Sequence, residues 1–331
     1  MSNNIETYYA VRYLPDSIFI GPSTKQHVFV DGDSKKQMPS TKMTVFADGH
    51  TRKSMSKRVA IQGIKGCFHE QAAYRFYEGQ GLPKPEVVEC SSFVELYTRM
   101  DEGKADAAIM AIENTVSGGL LPNFELLRKY DRKIKGEVFL RIKQNLMALP
   151  GQGIEDIREV RTHYMAINQT REFFKNCPWI RLVESEDTAK SAAEIAADGL
   201  KGVGAVASEL AADLYGLEIL APSIETYKQN FTRFLILDDE LEVDRTQVNK
   251  ASMCFTLSHK PGSLAHVLTI LSFYDMNLTR IQSLPIPGQE WQYFFYVDIK
   301  FEDRLRYEQA LAAVRPLMED LNILGEYVAA I

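Results

Sequence analysis

Between residues 59 and 215 the chain alternates short apolar segments with segments of helical spacing, and this alternation constrains the fold more than any other feature. The predicted strands are 59–62, 86–89, 106–112, 159–162, 181–183 and 203–207, and the predicted helices are 68–79, 93–103, 120–130, 165–176, 188–199 and 208–215. Because strands that alternate with helices usually pair in parallel, we expect an α/β fold with a parallel sheet. The continuous stretch 137–149 is a candidate crossing between two lobes.

The position of a ligand site follows from this fold class. Ligands of parallel α/β folds bind beyond the carboxyl ends of the strands. Gly63 follows the first predicted strand, Glu113 follows 106–112, and Thr162 ends 159–162. We therefore expect a cleft beside these three positions.

The C-terminal part of the chain has a different pattern. An acidic linker, 238–250, precedes six segments that read as strand, helix, strand, strand, helix and strand. Leu264, Val267, Leu268 and Leu271 share one stripe of the first of these helices. The order βαββαβ within about 80 residues is ferredoxin-like. We predict a domain at 59–237 and a second one at 251–331.

Composition excludes several classes of protein. A length of 331 residues favours about two domains at ~150 residues each. The hydrophobic share of 45% and the charged share of 25% are ordinary for a globular protein with a sizeable core. A net charge of −6 argues against a nucleic-acid partner, which needs a basic face. Any site for an anion must therefore be built locally.

The cysteines and the apolar runs bear on location and metal binding. Cys67, Cys90, Cys177 and Cys254 are irregularly spaced and predict neither a zinc site nor a disulfide framework. The sequence has no apolar run of about 18 residues and no secretory signal at its start. We expect a cytoplasmic protein with no membrane partner and no metal.

Residues 1–58 differ from the rest of the chain. Tyr8, Tyr9 and Tyr13 stand among Pro, Ser, Lys and Asp with no sustained period. We predict a flexible extension without a catalytic role. A regulatory or partner-binding arm is the alternative.

Four polar clusters follow one another in a characteristic order. They are 63–72 (GIKGCFHEQA), 112–115 (IENT), 162–169 (THYMAINQ) and 230–234 (NFTRF). In this order and spacing they resemble the prephenate dehydratase family, and the resemblance covers residues 59–331. It implies a two-lobed catalytic domain, similar to periplasmic binding proteins, with the substrate between the lobes.

The resemblance also implies the reaction, which removes water and carbon dioxide from the dicarboxylate prephenate to form phenylpyruvate for L-phenylalanine synthesis. Aromatisation supplies the driving force. The protein must hold two carboxylates, give a hydrogen bond or a proton to the departing hydroxyl, and exclude water. This chemistry requires no cofactor, and the sequence contains neither a P-loop nor a dinucleotide fingerprint.

Three residues are predicted to be catalytic. The family's Thr-Arg-Phe motif assigns Thr232 as the hydrogen-bond donor to the leaving hydroxyl. Glu113 is the rival general acid, because a carboxylate that ends an apolar strand has a raised pKa when it is desolvated. Arg233 is expected to clamp a carboxylate of the substrate. Its alternative role is to pair with an acidic neighbour and shape the site.

Further residues are predicted to bind the substrate or to line its cleft, and the positions of Thr162, Gln169 and Cys67 follow from the family pattern. They are Asn114, Thr162, Gln169, Phe234, Cys67 and His69. Thr162 replaces the family's Ser and keeps its hydroxyl. The first cluster departs from the family pattern Gly-Pro-x-Gly-Ser/Thr, because Ile64 replaces Pro and Cys67 replaces the hydroxyl residue. A thiol is the weaker hydrogen-bond donor.

The C-terminal domain resembles an ACT domain, the amino-acid-sensing module commonly fused to this enzyme. The segment 262–265 resembles the Gly-Ala-Leu-Val element, and 282–285 occupies the place of Glu-Ser-Arg-Pro. The predicted sites for allosteric L-phenylalanine are Gly262, Ser263, Leu264, Ala265, Gln282, Ser283, Leu284 and Pro285. Because Gln282 and Leu284 replace charged residues, the element matches only in part. Paired ACT units imply a homodimer or homotetramer.

Two other functions are compatible with the sequence. Arogenate dehydratase acts on a substrate that carries an amino group in place of the keto group, and an acidic residue near that group would favour it. A two-lobed protein that binds small anions without catalysis would have no use for the Thr232 hydroxyl. The resemblance favours prephenate dehydratase with feedback inhibition by L-phenylalanine.

Overall fold

The computed structural model describes residues 56–330, so the predicted extension 1–58 lies outside the described residues except for its last three positions. The strands are β1 (Arg58–Gln62), β2 (Glu86–Cys90), β3 (Ala107–Asn114), β4 (Gly118–Gly119), β5 (Ile134–Arg141), β6 (Asn145–Ala148), β7 (Glu159–Thr162), β8 (Arg181–Glu184), β9 (Val203–Ala207), β10 (Glu218–Ala221), β11 (Phe231–Asp238), β12 (Lys250–Thr256), β13 (Asn277–Pro285), β14 (Tyr293–Lys300) and β15 (Glu319–Tyr327). The helices are α1 (Phe68–Gly79), α2 (Phe93–Asp101), α3 (Leu121–Lys129), α4 (Tyr164–Phe174), α5 (Thr188–Asp198), α6 (Glu209–Tyr215), α7 (Ser263–Phe273) and α8 (Arg304–Val314). Within this part of the chain no helix is long and apolar enough to cross a membrane.

The first sheet, with α1 to α3, forms lobe 1. Its strand order is β2-β1-β3-β11-β5, and β4 pairs with β3. The predicted parallel pairing is found between β1 and its neighbours β2 and β3. Strand β11 runs antiparallel to both β3 and β5, so the sheet is mixed.

The second sheet, with α4 to α6, forms lobe 2. Its strand order is β10-β6-β9-β7-β8. Strands β7, β8 and β9 are parallel, as predicted, and β6 runs antiparallel to β9 and β10. The chain enters this lobe between β5 and β6, which confirms the predicted crossing at 137–149. It returns to lobe 1 between β10 and β11, and this return explains the reversed direction of β11.

The third sheet, with α7 and α8, forms what we call the C-terminal unit. The predicted order βαββαβ is confirmed, and the antiparallel strand order is β13-β14-β12-β15. Apolar residues of both helices, such as Val267, Leu271 and Tyr307, are buried with Phe255 in one core.

The opposite face of the C-terminal sheet packs on lobe 1. Tyr296, Leu324 and Tyr327 share a second core with Ile112 and Ile134 of lobe 1. The acidic linker predicted two independent domains. The shared core shows that the C-terminal unit packs extensively on lobe 1. The C-terminal unit is therefore part of the surroundings of β3 and β11, the strands that carry two of the four polar clusters, 112–115 and 230–234.

Candidate active site

Lobes 1 and 2 enclose a cavity of about 340 Å³, which we call the cleft. This volume lies at the lower end of the range for small-molecule sites, about 300–1,000 Å³. Much of the wall is apolar and includes Phe93, Leu120, Ile142 and Met165. Six of the residues predicted for the site line the cleft: Cys67, His69, Asn114, Gln169, Thr232 and Phe234.

The Thr232 hydroxyl is held by one hydrogen bond in the wall of the cleft. Thr232 and Asn114 oppose each other in the antiparallel pair β3–β11, so their side chains share a face. Asn114 Nδ2 donates to Thr232 Oγ1 at 2.9 Å, and Asn114 Oδ1 accepts from the amides of Val116 and Ser117. These bonds fix the orientation of the amide. Because Thr232 Oγ1 accepts from Asn114, its own hydrogen remains available to a ligand.

A chain of buried amides extends from this pair across the cleft. Asn114 Nδ2 also donates to Asn230 Oδ1 at 2.7 Å, and Asn230 Nδ2 donates to Gln169 Oε1 at 2.9 Å. Gln144 Nε2 donates to the same Gln169 oxygen at 3.1 Å. These hydrogen bonds hold the side chains in one arrangement, and Gln144 Oε1 is buried without a hydrogen-bond partner among the described residues. Sequence reasoning missed Gln144, which lies on the crossing between the lobes, where no local pattern marks it.

Four helices begin at the cleft. The residues that flank the starts of α1, α3, α4 and α5, namely Phe68, Leu120, Tyr164 and Thr188, all line it. The first amides of a helix lack partners within the helix, and they carry the positive end of its dipole. Helix α1 has no side-chain cap, whereas in the first turn of α3 Pro122 has no N–H and the Asn123 amide donates to the Leu120 carbonyl at 3.0 Å. The cleft can therefore meet an anion with backbone amides.

Both histidines of the cleft are neutral near pH 7. Burial lowers the pKa of His69 to about 3. Burial also lowers the pKa of His163, although the carboxylates of Asp187 and Glu184 oppose the shift. His163 Nδ1 accepts from the amide of Met165 at 3.3 Å, so the proton of this ring lies on Nε2. Neither ring supplies a positive charge to an anionic ligand.

The lowered pKa of His69 predicts a pH dependence of folding. The unfolded chain binds a proton at this residue near pH 6.5 and the folded chain only near pH 3, so the free energy of unfolding decreases as the pH falls through this window. We expect the decrease between about pH 7.5 and about pH 5 to be smaller in His69→Gln than in wild type, as measured by urea unfolding. His266→Gln, at an exposed position of α7, is the control and should follow wild type. Parallel decreases in wild type and His69→Gln would contradict the assignment.

An acidic residue that sequence reasoning missed also lines the cleft. Asp187 caps α5 by accepting from the Lys190 amide at 2.8 Å, and burial raises the pKa of its carboxyl. Its second oxygen faces Gly63, where a Cβ would lie 2.9 Å from it. Glu186, which also lines the cleft, is exposed and paired with Lys190. The lining, all of it within residues 56–330, includes no lysine or arginine.

Glu113 and Arg233 lie on the other face of the sheet, which revises two of the predicted catalytic roles. They oppose each other in the same pair of strands, one residue away from Asn114 and Thr232, and neighbouring residues of a strand face opposite sides. Arg233 is 2% exposed and binds Glu137 at 2.6 Å, Tyr327 at 2.9 Å and Asp298. The alternative in which Arg233 pairs with acidic neighbours describes this arrangement.

Two other predicted site residues have structural surroundings. Thr162 is fully buried and donates to the carbonyl of Val206 at 2.6 Å, away from the cleft. Cys67 lines the cleft, and its thiol donates to the carbonyl of Gln62 at 3.6 Å. Burial raises the pKa of this thiol well above its usual range. Cys67 therefore stays protonated at neutral pH.

The residues predicted to bind an effector lie on two elements of the C-terminal unit. Gly262 precedes α7 with φ +83, Ser263 begins the helix, and Leu264 and Ala265 follow. The other four positions, 282–285, end β13, an edge strand of the sheet. Leu284 is buried, whereas Ser283 and Pro285 are exposed.

Comparison with known proteins identifies a family for the part of the chain that contains the two lobes. The profile of the prephenate dehydratase family matches residues 59–242. A relative from Arabidopsis thaliana, arogenate dehydratase/prephenate dehydratase 2, chloroplastic, is 35% identical over 283 residues, which cover 82% of this chain and 72% of that protein.

Two solved structures are similar over most of the chain. Prephenate dehydratase from Arthrobacter aurescens in complex with L-Phe is 28% identical with a TM-score of 0.73, covering 82% of this chain and 89% of that one. GqqA, described as a novel type of quorum-quenching acylase, is also 28% identical, with a TM-score of 0.74, and the match covers 83% of this chain and 98% of that one. Proteins that share this fold are thus described with two different activities.

Proposed function

The chain belongs to the prephenate dehydratase family, and we propose that it converts prephenate to phenylpyruvate, carbon dioxide and water in the cleft between lobes 1 and 2. The observation that carries this proposal is the Thr232 hydroxyl, anchored by Asn114 with its own hydrogen available. It lies in a largely apolar cavity of small-molecule size.

The reaction needs a hydrogen-bond donor at one atom. The electron pair of the bond between the ring and the carboxylate moves through the ring as carbon dioxide leaves, and the hydroxyl departs from the opposite ring carbon. One proton is consumed, because hydroxide must leave as water. Thr232 is the proposed donor to this oxygen, and its effect grows as negative charge develops there. The threonine hydroxyl is a weak acid, so we assign it hydrogen-bond stabilisation and leave the proton to solvent.

Because the lining of the cleft includes no lysine or arginine, the two carboxylates of prephenate must be bound by groups other than side-chain cations. We propose that the first amides of α1, with the Nε2 proton of His163, bind them. Helix amides are fixed donors, and beside a largely apolar wall their interaction with an anion is stronger than in water. The apolar wall around Phe93 and Phe234 suits the ring of the substrate and the ring of the product.

Acyl transfer, the other activity described for this fold, is less compatible with the cleft. An acylase that acts through a side-chain nucleophile needs a base beside it. The Cys67 thiol has a raised pKa because of burial, and the hydrogen bond to Thr232 comes from an amide donor, Asn114. Neither arrangement activates a nucleophile.

Arogenate is a second candidate substrate, and Asp187 favours it. A carboxylate in the cleft can pair with the ammonium group that arogenate carries in place of the keto group. We expect Asp187→Asn to lower the ratio of kcat/KM for arogenate to kcat/KM for prephenate about tenfold, the factor that loss of a hydrogen bond to a charged group provides. Asn remains a good helix cap, so α5 should persist.

The matched control for this prediction is Glu186→Gln, because Glu186 is the exposed neighbour of Asp187. It should leave the ratio within about twofold, since surface ion pairs contribute little. An unchanged ratio in Asp187→Asn would remove Asp187 from substrate selection.

We also infer that the C-terminal unit is an ACT regulatory domain that binds L-phenylalanine and inhibits turnover. Its βαββαβ order and the L-Phe complex of the Arthrobacter aurescens relative support this inference. The exposed edge of β13 and the exposed Ile281 suit pairing with a second copy, so we propose a homodimer or homotetramer. Sedimentation with and without L-phenylalanine tests the assembly, and a monomer under both conditions would exclude it.

The experiment that tests the activity uses prephenate and arogenate side by side, without added cofactor. Phenylpyruvate formed from prephenate supports the proposed function, and suppression by L-phenylalanine supports the regulatory role. Phenylalanine formed only from arogenate would make arogenate dehydratase the function. Failure with both substrates would reject dehydration and favour a binding protein.

A further inference from the structure

A balanced group of buried charges joins lobe 1 to the C-terminal unit. We call it the junction; it contains three carboxylates and three cations from six strands. Its charged members are Glu113, Glu137, Arg233, Lys250, Arg280 and Asp298. Five of the six have side chains that are at most 10% exposed, and Glu113 is 34% exposed. Buried charges require partners, so each pair restricts the position of the strands that carry it.

The junction includes the residues next to Asn114 and Thr232 on strands β3 and β11. Arg233 follows Thr232, and Glu113 precedes Asn114. Arg233 Nη1 binds Glu113 at 3.2 Å and also binds Asp298 of β14. Arg280 of β13 binds the other oxygen of Glu113. The hydrogen bond between Asn114 and Thr232 therefore lies one residue from two pairs with the C-terminal unit.

A second contact comes from the same arginine. A Cβ at Gly119 would lie 2.7 Å from Arg280 Nη2, so glycine at this position allows the guanidinium to approach the backbone of β4. The preceding segment holds Val116 and Ser117, whose amides orient Asn114. Arg280 thus contacts the loop that sets the direction of the Asn114 amide. The Arg280 guanidinium also lies 4.4 Å from the centre of the Phe124 ring.

We propose that the pairs Arg233–Asp298 and Glu113–Arg280 position the Asn114–Thr232 hydrogen bond, so that the C-terminal unit sets turnover in the cleft. Glu113 and Arg233, the members of these pairs that belong to lobe 1, are positioning residues that face away from the substrate. The inference rests on the proposed function for its kinetic readout. It also identifies where an effector bound near 282–285 would act, because Arg280 lies on the same strand, β13.

The test uses Glu113→Gln, Arg280→Gln and the double variant. Each single change should lower kcat about tenfold and leave KM within about twofold, because the substrate does not touch these residues. The kcat of the double variant should equal that of each single variant, because either single change already breaks the Glu113–Arg280 pair. The pH profile of kcat should keep both limbs in Glu113→Gln. Asp275→Asn, which removes the exposed pair with Arg306 in the same unit, is the control and should match wild type.

Hydrogen exchange on the same samples gives a readout that does not depend on activity. Residues 112–119 should exchange faster in Glu113→Gln and Arg280→Gln than in wild type or Asp275→Asn. Three results would each overturn the proposal. They are a wild-type kcat in both single variants, a decrease of kcat in the double variant that equals the product of the two single decreases, and unchanged hydrogen exchange at residues 112–119. Loss of the alkaline limb in Glu113→Gln would instead make Glu113 the general acid, because an acid loses its proton as the pH rises. An inactive wild type with faster exchange in the variants would reject the proposed function and keep the junction.

Discussion

In Thr232→Val, kcat for prephenate is expected to fall by about 10²–10³, the loss found when one donor to a developing oxyanion is removed. Valine has nearly the shape of threonine, and Asn114 keeps its hydrogen bond to Asn230 at 2.7 Å. The network around the cleft should therefore survive, and KM should change little. Steady-state assays of purified wild type and variant measure both constants.

Thr232→Ser is the matched control, because it keeps the hydroxyl and removes a methyl group. It should retain kcat within about tenfold of wild type, given the smaller cost of a mispositioned donor. Equal melting temperatures of the three proteins would show that the fold is intact. Turnover by Thr232→Val at the level of Thr232→Ser would remove the hydroxyl from the mechanism.

Gly325→Ala should have the largest effect on stability. Gly325 of β15 packs on β5, where an added Cβ would lie 2.2 Å from the backbone oxygen of Ile134. Neither backbone can move without disturbing the shared core of lobe 1 and the C-terminal unit. We expect a loss of about 3 kcal/mol in the free energy of unfolding and a melting temperature lower by roughly 5–10 °C. Calorimetry measures the shift, and kcat should fall as the junction separates.

Gly79→Ala is the control for this prediction. Gly79 ends α1 at an exposed position, and no atom lies within 4 Å of the place where its Cβ would stand. Alanine is favoured over glycine in helices by up to about 1 kcal/mol, so stability should be equal or slightly higher. A Gly325→Ala protein that melts with Gly79→Ala would contradict the packing of β15 on β5.

Local sequence patterns predicted six strands and all six helices of the two lobes in their observed order, and the βαββαβ order of the C-terminal unit is confirmed. They did not predict strands β4, β5, β6 and β10. The parallel sheet was predicted only in part. Local periodicity identifies a strand but carries no direction, so the antiparallel course of β11 depends on where the chain returns from lobe 2.

The site was predictable where one strand face determines it. Thr232 and Phe234 are two residues apart and both line the cleft. Because side chains alternate along a strand, Arg233, the residue between them, is predicted to face the opposite side of the sheet. Asp187 could be identified as a helix cap from sequence, but its approach to Gly63 brings together residues more than 120 positions apart. Such contacts depend on the packing of lobe 1 against lobe 2.

The proposed function is tested by the stoichiometry of the products that the full chain forms from prephenate, in buffer that contains a chelator and no cofactor. We expect one carbon dioxide for each phenylpyruvate, at a rate that Thr232→Val reduces by about 10²–10³. The absence of both products from wild type, while the protein is folded, would contradict the proposed function. Equal rates in wild type and Thr232→Val would contradict the role of the hydroxyl.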